Sequence, residues 1–210
     1  TDREVLCGPR SFGFDKRHWF YRRGLRPDFE FAAAGGVLTV ARRGPTFKNP
    51  TQIGYQREAG LVVAQVHAAL REACEPGVTL KELDRVARDT TLEADAEPNF
   101  LGYQGFPASV CISLNDVIVH GIPDDTRIQD GDLVSFDSGA SVKREGKAWH
   151  ADSAFTMAVG SVDQKALELD AVTEQAMWAG VAALASARRL DDVGGAIEDY
   201  VAGASRSLGW

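Results

Sequence analysis

Residues 130–154 read Asp-Gly-Asp-Leu-Val-Ser-Phe-Asp-Ser-Gly-Ala-Ser-Val-Lys-Arg-Glu-Gly-Lys-Ala-Trp-His-Ala-Asp-Ser-Ala. Two runs, 132–142 and 148–159, flank Lys143-Arg144-Glu145-Gly146 and predict an antiparallel hairpin. A turn on Lys143–Gly146, with glycine last, suits type I geometry. That turn sets Asp137 directly opposite Asp152, with Cα atoms ~4.5–5.5 Å apart. One face of the hairpin then carries Ser135, Asp137, Gly139, His150, Asp152 and Ala154, and the other Val134, Phe136, Trp149 and Phe155. Two carboxylates facing each other repel. A divalent cation that accepts oxygen ligands (Mn, Fe, Co, Zn or Mg) would relieve that repulsion. The alternative is a pair of solvated carboxylates on an edge hairpin that never meet. Asp130 and Asp132 read more simply as turn and strand-entry residues.

Upstream, residues 108–119 read as two short strands around Asn115-Asp116. His120 closes the second, ahead of the rigid Gly121-Ile122-Pro123. It is either a neutral donor or proton shuttle near pH 7, or a structural histidine. Before these strands comes Phe100-Leu101-Gly102-Tyr103-Gln104-Gly105-Phe106-Pro107, then Ser109-Val110-Cys111. Such a loop could wall an apolar pocket, where a thiol among aromatics suits a thioether, or could be ordinary core packing. Cys111 lacks the basic neighbours that would make it a nucleophile.

Helices flank this region on both sides. Ile53, Gly60, Leu61, Val63, Ala64, Val66, His67 and Leu70 form an apolar stripe ending before Pro76-Gly77. On that stripe His67 reads as a structural residue. Thr79 and Glu82 form a capping box for a second helix, with Leu83, Val86 and Ala87 on its buried face. After Gly160 the helical period returns, through Leu167, Val172, Ala176, Met177, Ala179, Val181 and Leu184, and then Leu190, Val193, Ile197 and Val201. Leu80, Glu82, Leu83, Ala87 and Asp89 recur 110 positions later as Leu190, Asp192, Val193, Ile197 and Asp199. A helix pair needs a sheet against which to bury its apolar side. The first pair has four strands after it. The second has none before Trp210, so further chain or a partner is expected to complete it.

The chain has 210 residues, is 44% hydrophobic and 25% charged, and carries a net charge of −7, which excludes a simple polycation for nucleic acid. Its charge is divided. Residues 1–46 hold nine basic and five acidic side chains, and the boundary falls near Gly44-Pro45. This basic arm interleaves aromatics with arginines from Phe12 to Arg23, able to contact nucleic acid or to pack on the body. No apolar run approaches the ~20 residues of a membrane span, and the N-terminus lacks a secretory core. Three cysteines (Cys7, Cys74 and Cys111) form neither a disulfide framework nor a metal knuckle, as expected for a reducing cytoplasm.

Taken together, residues 102–116, Val119-His-Gly-Ile-Pro-Asp-Asp125, residues 130–139 and Trp149-His-Ala-Asp-Ser-Ala154 resemble type I methionine aminopeptidases. Lys48-Asn-Pro-Thr-Gln-Ile53 and Arg57-Glu-Ala-Gly60 extend the resemblance, which covers 39–210 and leaves 1–38 unmatched. It implies an α/β pita-bread fold, in which 1–46 is an N-terminal extension and 47–210 the metallo-aminopeptidase domain, the first half plus the second half's helix pair. It further implies two divalent metal ions (Co, Mn, Fe or Zn) with Asp137 and Asp152 as ligands and Asp152 bridging. His120 would donate to the substrate near the scissile amide. Phe100, Tyr103, Phe106 and Cys111 would line the methionine pocket. The implied activity is removal of the initiator methionine from peptides or nascent chains, a small second residue being preferred, in the cytoplasm. A ribosome contact through the basic arm is the further partner expected, without membrane or specific nucleic acid. The alternative is an inactive binding protein on the same fold.

Three departures accompany the resemblance. The hairpin is longer than the family's by an even number of residues, which preserves facing and implies a protruding tip. Ala151 stands where the family has glycine, and Phe106 where some members have tyrosine. The family's remaining ligands, a histidine and two glutamates, and a second catalytic histidine, belong to a second-half segment expected beyond Trp210.

Overall fold

The computed structural model describes residues 46–209. The basic arm and its proposed contacts lie outside these residues. Helix α1 (Pro50–Ala73) starts at a capping box, in which the Asn49 side chain accepts from the Gln52 amide at 2.9 Å and Gln52 returns the contact at 3.1 Å. Pro50 fits its first position, where a missing N–H leaves nothing unpaired. Helix α2 (Leu80–Glu93) begins where Thr79 and Glu82 predict, with the Glu82 carboxylate accepting from both the amide and the hydroxyl of Thr79. Strands β1 (Glu97–Pro98), β2 (Val110–Leu114), β3 (Leu133–Arg144) and β4 (Lys147–Ala158) follow, then helices α3 (Gln164–Ala183) and α4 (Leu190–Leu208).

All strand pairings are antiparallel. Strand β3 is central. It pairs along its whole length with β4, and along its other edge with β2 and then β1. Alternate side chains on β3 fall on opposite faces of the sheet. Val134, Phe136, Ala140 and Val142 join Trp149 on the face packed under α1 and α2, as the alternation predicts. Phe136, Leu70 and Leu83 are fully buried there, each contributing ~1.5–3 kcal/mol.

The helix stripe on α1 needs correction. Its buried residues are Ala59, Val62, Val63, Val66 and Leu70, whereas Ile53 and Leu61 are more than half exposed. The sheet covers a narrower arc of the helix than the apolar pattern suggests. The short strand expected at 117–119 is also absent. A turn closes at once after β2, Val117 N donating to Leu114 O, and Asn115 takes a φ of 51°. The chain returns beside β2 only at Gly121, whose carbonyl accepts from Ile112 N at 3.0 Å.

The turn of the β3–β4 hairpin differs as well. Arg144 pairs with Lys147, so the loop is only Glu145-Gly146, both at positive φ (51° and 71°). Two left-handed residues match the twist of the flanking strands better than a type I turn does. The tip does not project freely. Tyr55 Oη donates to Glu145 Oε1 at 3.1 Å, and Arg144 pairs with Glu58 of α1 at 2.8 Å.

The repeat is visible in three dimensions. Helices α2 and α4 start 110 residues apart, at Leu80 and Leu190, and α1 and α3 end 110 apart, at Ala73 and Ala183. Asp192 caps α4 as Glu82 caps α2, accepting from the amides of Arg188 and Arg189 at 2.8 and 3.0 Å. In α3 the places of Val66 and Leu70 are taken by Ala176 and Gly180, both buried; a side chain on Gly180 would strike Ile197. These small residues let α3 and α4 pack closely on one another. Leu190, Leu184, Trp178 and Leu169 are exposed.

Candidate metal and substrate site

The new turn moves the register by two residues, which keeps each side chain on its face. Asp137 stands opposite Ala154, and Asp152 opposite Gly139, so the two aspartates are diagonal rather than directly opposed. They still interact. Burial, then the Asp152 charge and a hydrogen bond to Asp152, push the Asp137 carboxyl up to about 6. His120 opposes that shift, and so lies within electrostatic reach of Asp137 although it occupies no strand.

Strand β2 brings a third group. Cys111 pairs directly with Asp137 in the ladder and therefore shares its face. Burial and the two carboxylates push the Cys111 thiol up to about 12, which leaves it protonated and unreactive as a nucleophile. Phe106 is buried and meets the half-buried Phe100 edge to face at 6.4 Å. Tyr103 does not join them in the interior. It is exposed, in a single turn of helix (Tyr103–Gly105) that needs Gln104 at φ 49°, and its hydroxyl accepts from Gln104 at 3.2 Å. A groove of about 600 Å³ lined by Leu61, Val62, Gln65, Thr90, Glu93 and Arg144 holds none of these groups. The carboxylate face is the better candidate because the chemistry converges there.

Three positioning contacts escaped the sequence reading. Asp84 Oδ1 accepts from the amides of Ser109 and Val110 at 2.7 and 3.2 Å, fixing the entry to β2. Asn99 Nδ2 donates to the carbonyls of Ala140 and Ala151, one on each strand of the hairpin, both at 3.2 Å. His67 Nε2 lies 3.1 Å from Ser138 Oγ and 3.1 Å from the Ser153 carbonyl. Each ties residues far apart in the chain, mostly through backbone atoms, which leaves no local sequence signal. Asp130 and Asp132 are structural as expected: Asp130 accepts from Ser161 N, and Asp132 from Gln129 N and Asn115 Nδ2.

Among the described residues, no group of three or more histidines, cysteines, aspartates or glutamates converges as a metal shell. The fitting donors are Asp137 and Asp152. Their hard carboxylate oxygens, with the Asp152 charge close enough to raise the proton affinity of Asp137, suit a divalent cation.

The fold is a helix pair over an antiparallel sheet that carries paired carboxylates, followed by a second helix pair. Residues 55–209 match metallopeptidase family M24, and the chain belongs to that family. Within it the similarity is to methionine aminopeptidases. The chain is 39% identical over 155 residues to that of Clostridium acetobutylicum, covering 73% of this chain and 60% of the relative. Methionine aminopeptidase 1 of Bacillus subtilis is 38% identical over 154 residues, with the same coverage. The crystal structure of methionine aminopeptidase from Rickettsia prowazekii superposes with a TM-score of 0.68 at 31% identity, covering 74% of this chain and 61% of that one. The pita-bread fold is therefore present, and the chain spans about 60% of the length of these relatives. No helix among the described residues is long and apolar enough to cross a membrane.

Proposed function

We propose that the protein removes the initiator methionine from peptides and nascent chains, with a small second residue preferred, by metal-dependent hydrolysis in the cytoplasm. The observation that carries this reading is the meeting of Asp137 and Asp152 on one face of β3 and β4, with Cys111 beside them and His120 in reach. Asp137 and Asp152 would hold the metal, proposed as two divalent ions. A divalent metal held there would supply water activation near neutral pH and Lewis-acid polarisation of the scissile carbonyl.

The chain's own residues do the rest. His120 donates to the substrate near the scissile amide, from a segment that Gly121 anchors to β2. Phe106 and Cys111, with Phe100 against Phe106, offer an apolar wall of thiol and ring edges for a thioether. Tyr103, on the surface, would cover the outer end of that wall. A buried, protonated Cys111 contacts substrate without competing as a nucleophile.

The test is methionine release by the intact protein loaded with Mn²⁺ or Co²⁺. Met-Ala peptides should be cleaved, Met-Trp peptides poorly, and a chelator should stop the reaction. Asp152→Ala should abolish release, and His120→Ala should lower kcat with little change in KM.

A second reading is a binding protein on the same fold, favoured by the lack of a converged three-donor shell among the described residues. Peptide binding without release, in protein shown to hold metal, would select it. The basic arm of residues 1–46 would be the ribosome contact. Unchanged ribosome co-sedimentation at low salt after deleting residues 1–38 would remove that part.

A further inference from the structure

His67 stands out on α1 as a polar side chain in an otherwise apolar stripe of Val63, Val66 and Leu70. A half-buried polar group there needs a partner. Its Nε2 has two, the Ser153 carbonyl and Ser138 Oγ, each at 3.1 Å. A carbonyl can only accept, so Nε2 carries the proton and donates, with the serine hydroxyl sharing it. The ring is held by Phe155 at 4.6 Å, and the Arg71 guanidinium lies over that same phenyl ring at 3.9 Å.

The place of these partners matters. Ser138 and Ser153 face each other in the ladder, and each follows an aspartate by one residue, Asp137 on β3 and Asp152 on β4. The Asp137–Asp152 diagonal therefore crosses the strands at the Ser138–Ser153 rung. Ser138 points to the helix side of the sheet while both aspartates point to the other. One imidazole thus grips both strands beneath the centre of the carboxylate pair. The Glu145-Gly146 turn joins the strands at the far tip; His67 contacts both of them at the site.

We propose that His67 is a positioning residue for the carboxylate pair, holding β3 and β4 in the stagger at which Asp137 and Asp152 together bind a divalent cation. This rests on the reading of that pair as metal ligands, and deepens it. Outer contacts that orient ligands typically carry ~10–100-fold in metal affinity.

The experiment is titration of the full chain with Mn²⁺ by calorimetry, alongside urea unfolding. His67→Leu fills the space without a donor and should weaken Mn²⁺ binding by about tenfold or more. His67→Gln retains a donor nitrogen at similar reach and should restore wild-type affinity. Val66→Ala, from the same buried stripe, should lower the urea midpoint and leave Mn²⁺ affinity unchanged. Wild-type affinity in His67→Leu, or an equal loss in Val66→Ala, overturns the positioning role. Asp152→Asn separates the two readings. If Asp152→Asn binds Mn²⁺ like the wild type, or the wild type binds none, the carboxylate reading fails and this one with it.

Discussion

Asp152 stands across the ladder from Gly139, diagonal to Asp137, and the two carboxylates still meet. Directly opposed residues on one face have Cβ atoms ~4.5–5.5 Å apart and diagonal neighbours up to ~7–8 Å. The diagonal gives two short acidic side chains room to converge on a shared point instead of clashing. Removing one charge should be felt by the other. In Asp152→Asn the Asp137 pKa should fall from about 6, because the neighbouring charge is gone and an amide donor stabilises the carboxylate. It should remain above the ordinary 3.8, because burial is the larger cause. Carboxyl ¹³C shifts followed against pH measure this; an unchanged value would mean that Asp152 does not act on Asp137.

The same shift gives the metal-free protein a pH dependence. Asp137 has a folded pKa of about 6 against 3.8 for an ordinary aspartate carboxyl, so between these values the native state binds more protons than the unfolded chain. Stability from this group is therefore greatest at the acid end and declines as pH rises through that window. Asp137→Asn should flatten that part of the profile. Urea midpoints at pH 4.5 and 7, with and without the substitution, decide it. Added Mn²⁺ should raise the midpoint at pH 7 more than at pH 4.5.

How far the sequence discloses this architecture depends on the range of the interactions involved. The start of α2 is legible because Thr79 and Glu82 contact one another three residues apart. The repeat is legible because Leu80 and Leu190 open equivalent helices. Asp137 and Asp152 are placed on the right face because side-chain parity survives a two-residue slip. Their register is misread because the turn choice depends on the left-handed geometry of Glu145-Gly146, stabilised by Tyr55 and Glu58 on a distant helix. The strand expected at 117–119 fails for a similar reason: Val119 and His120 take positive φ, 44° and 53°, so that Gly121 can dock on β2. Local propensity favours extension at valine, and the tertiary contact overrides it.

Gly121 should tolerate no side chain. A Cβ there would overlap the Ile112 carbonyl, a backbone atom that cannot rotate away. Gly121→Ala should push the His120 segment off β2 and cost on the order of 1–3 kcal/mol, as overpacking typically does. The urea midpoint reads the cost. Loss of the bond from Ile112 N to Gly121 O should appear as faster hydrogen exchange at the Ile112 amide.

Asn99 and Gly139 should behave as one unit. Asn99 donates to the facing carbonyls of Ala140 and Ala151, and its Oδ1 lies 2.9 Å from His150 Nδ1. Its side chain rests where a Cβ on Gly139 would stand, 2.8 Å from Asn99 Nδ2. Asn99→Ala should cost ~1–3 kcal/mol by stranding partly buried carbonyls. Gly139→Ala should also destabilise, by displacing Asn99 and crowding the Ala151 carbonyl. Once Asn99 is truncated, however, much of that crowding has nothing left to displace. The double variant should therefore lose less stability than the two single losses added together, a coupling that a double-mutant cycle in urea measures. Strict additivity would mean that Gly139 is required for the strand alone and not to seat Asn99.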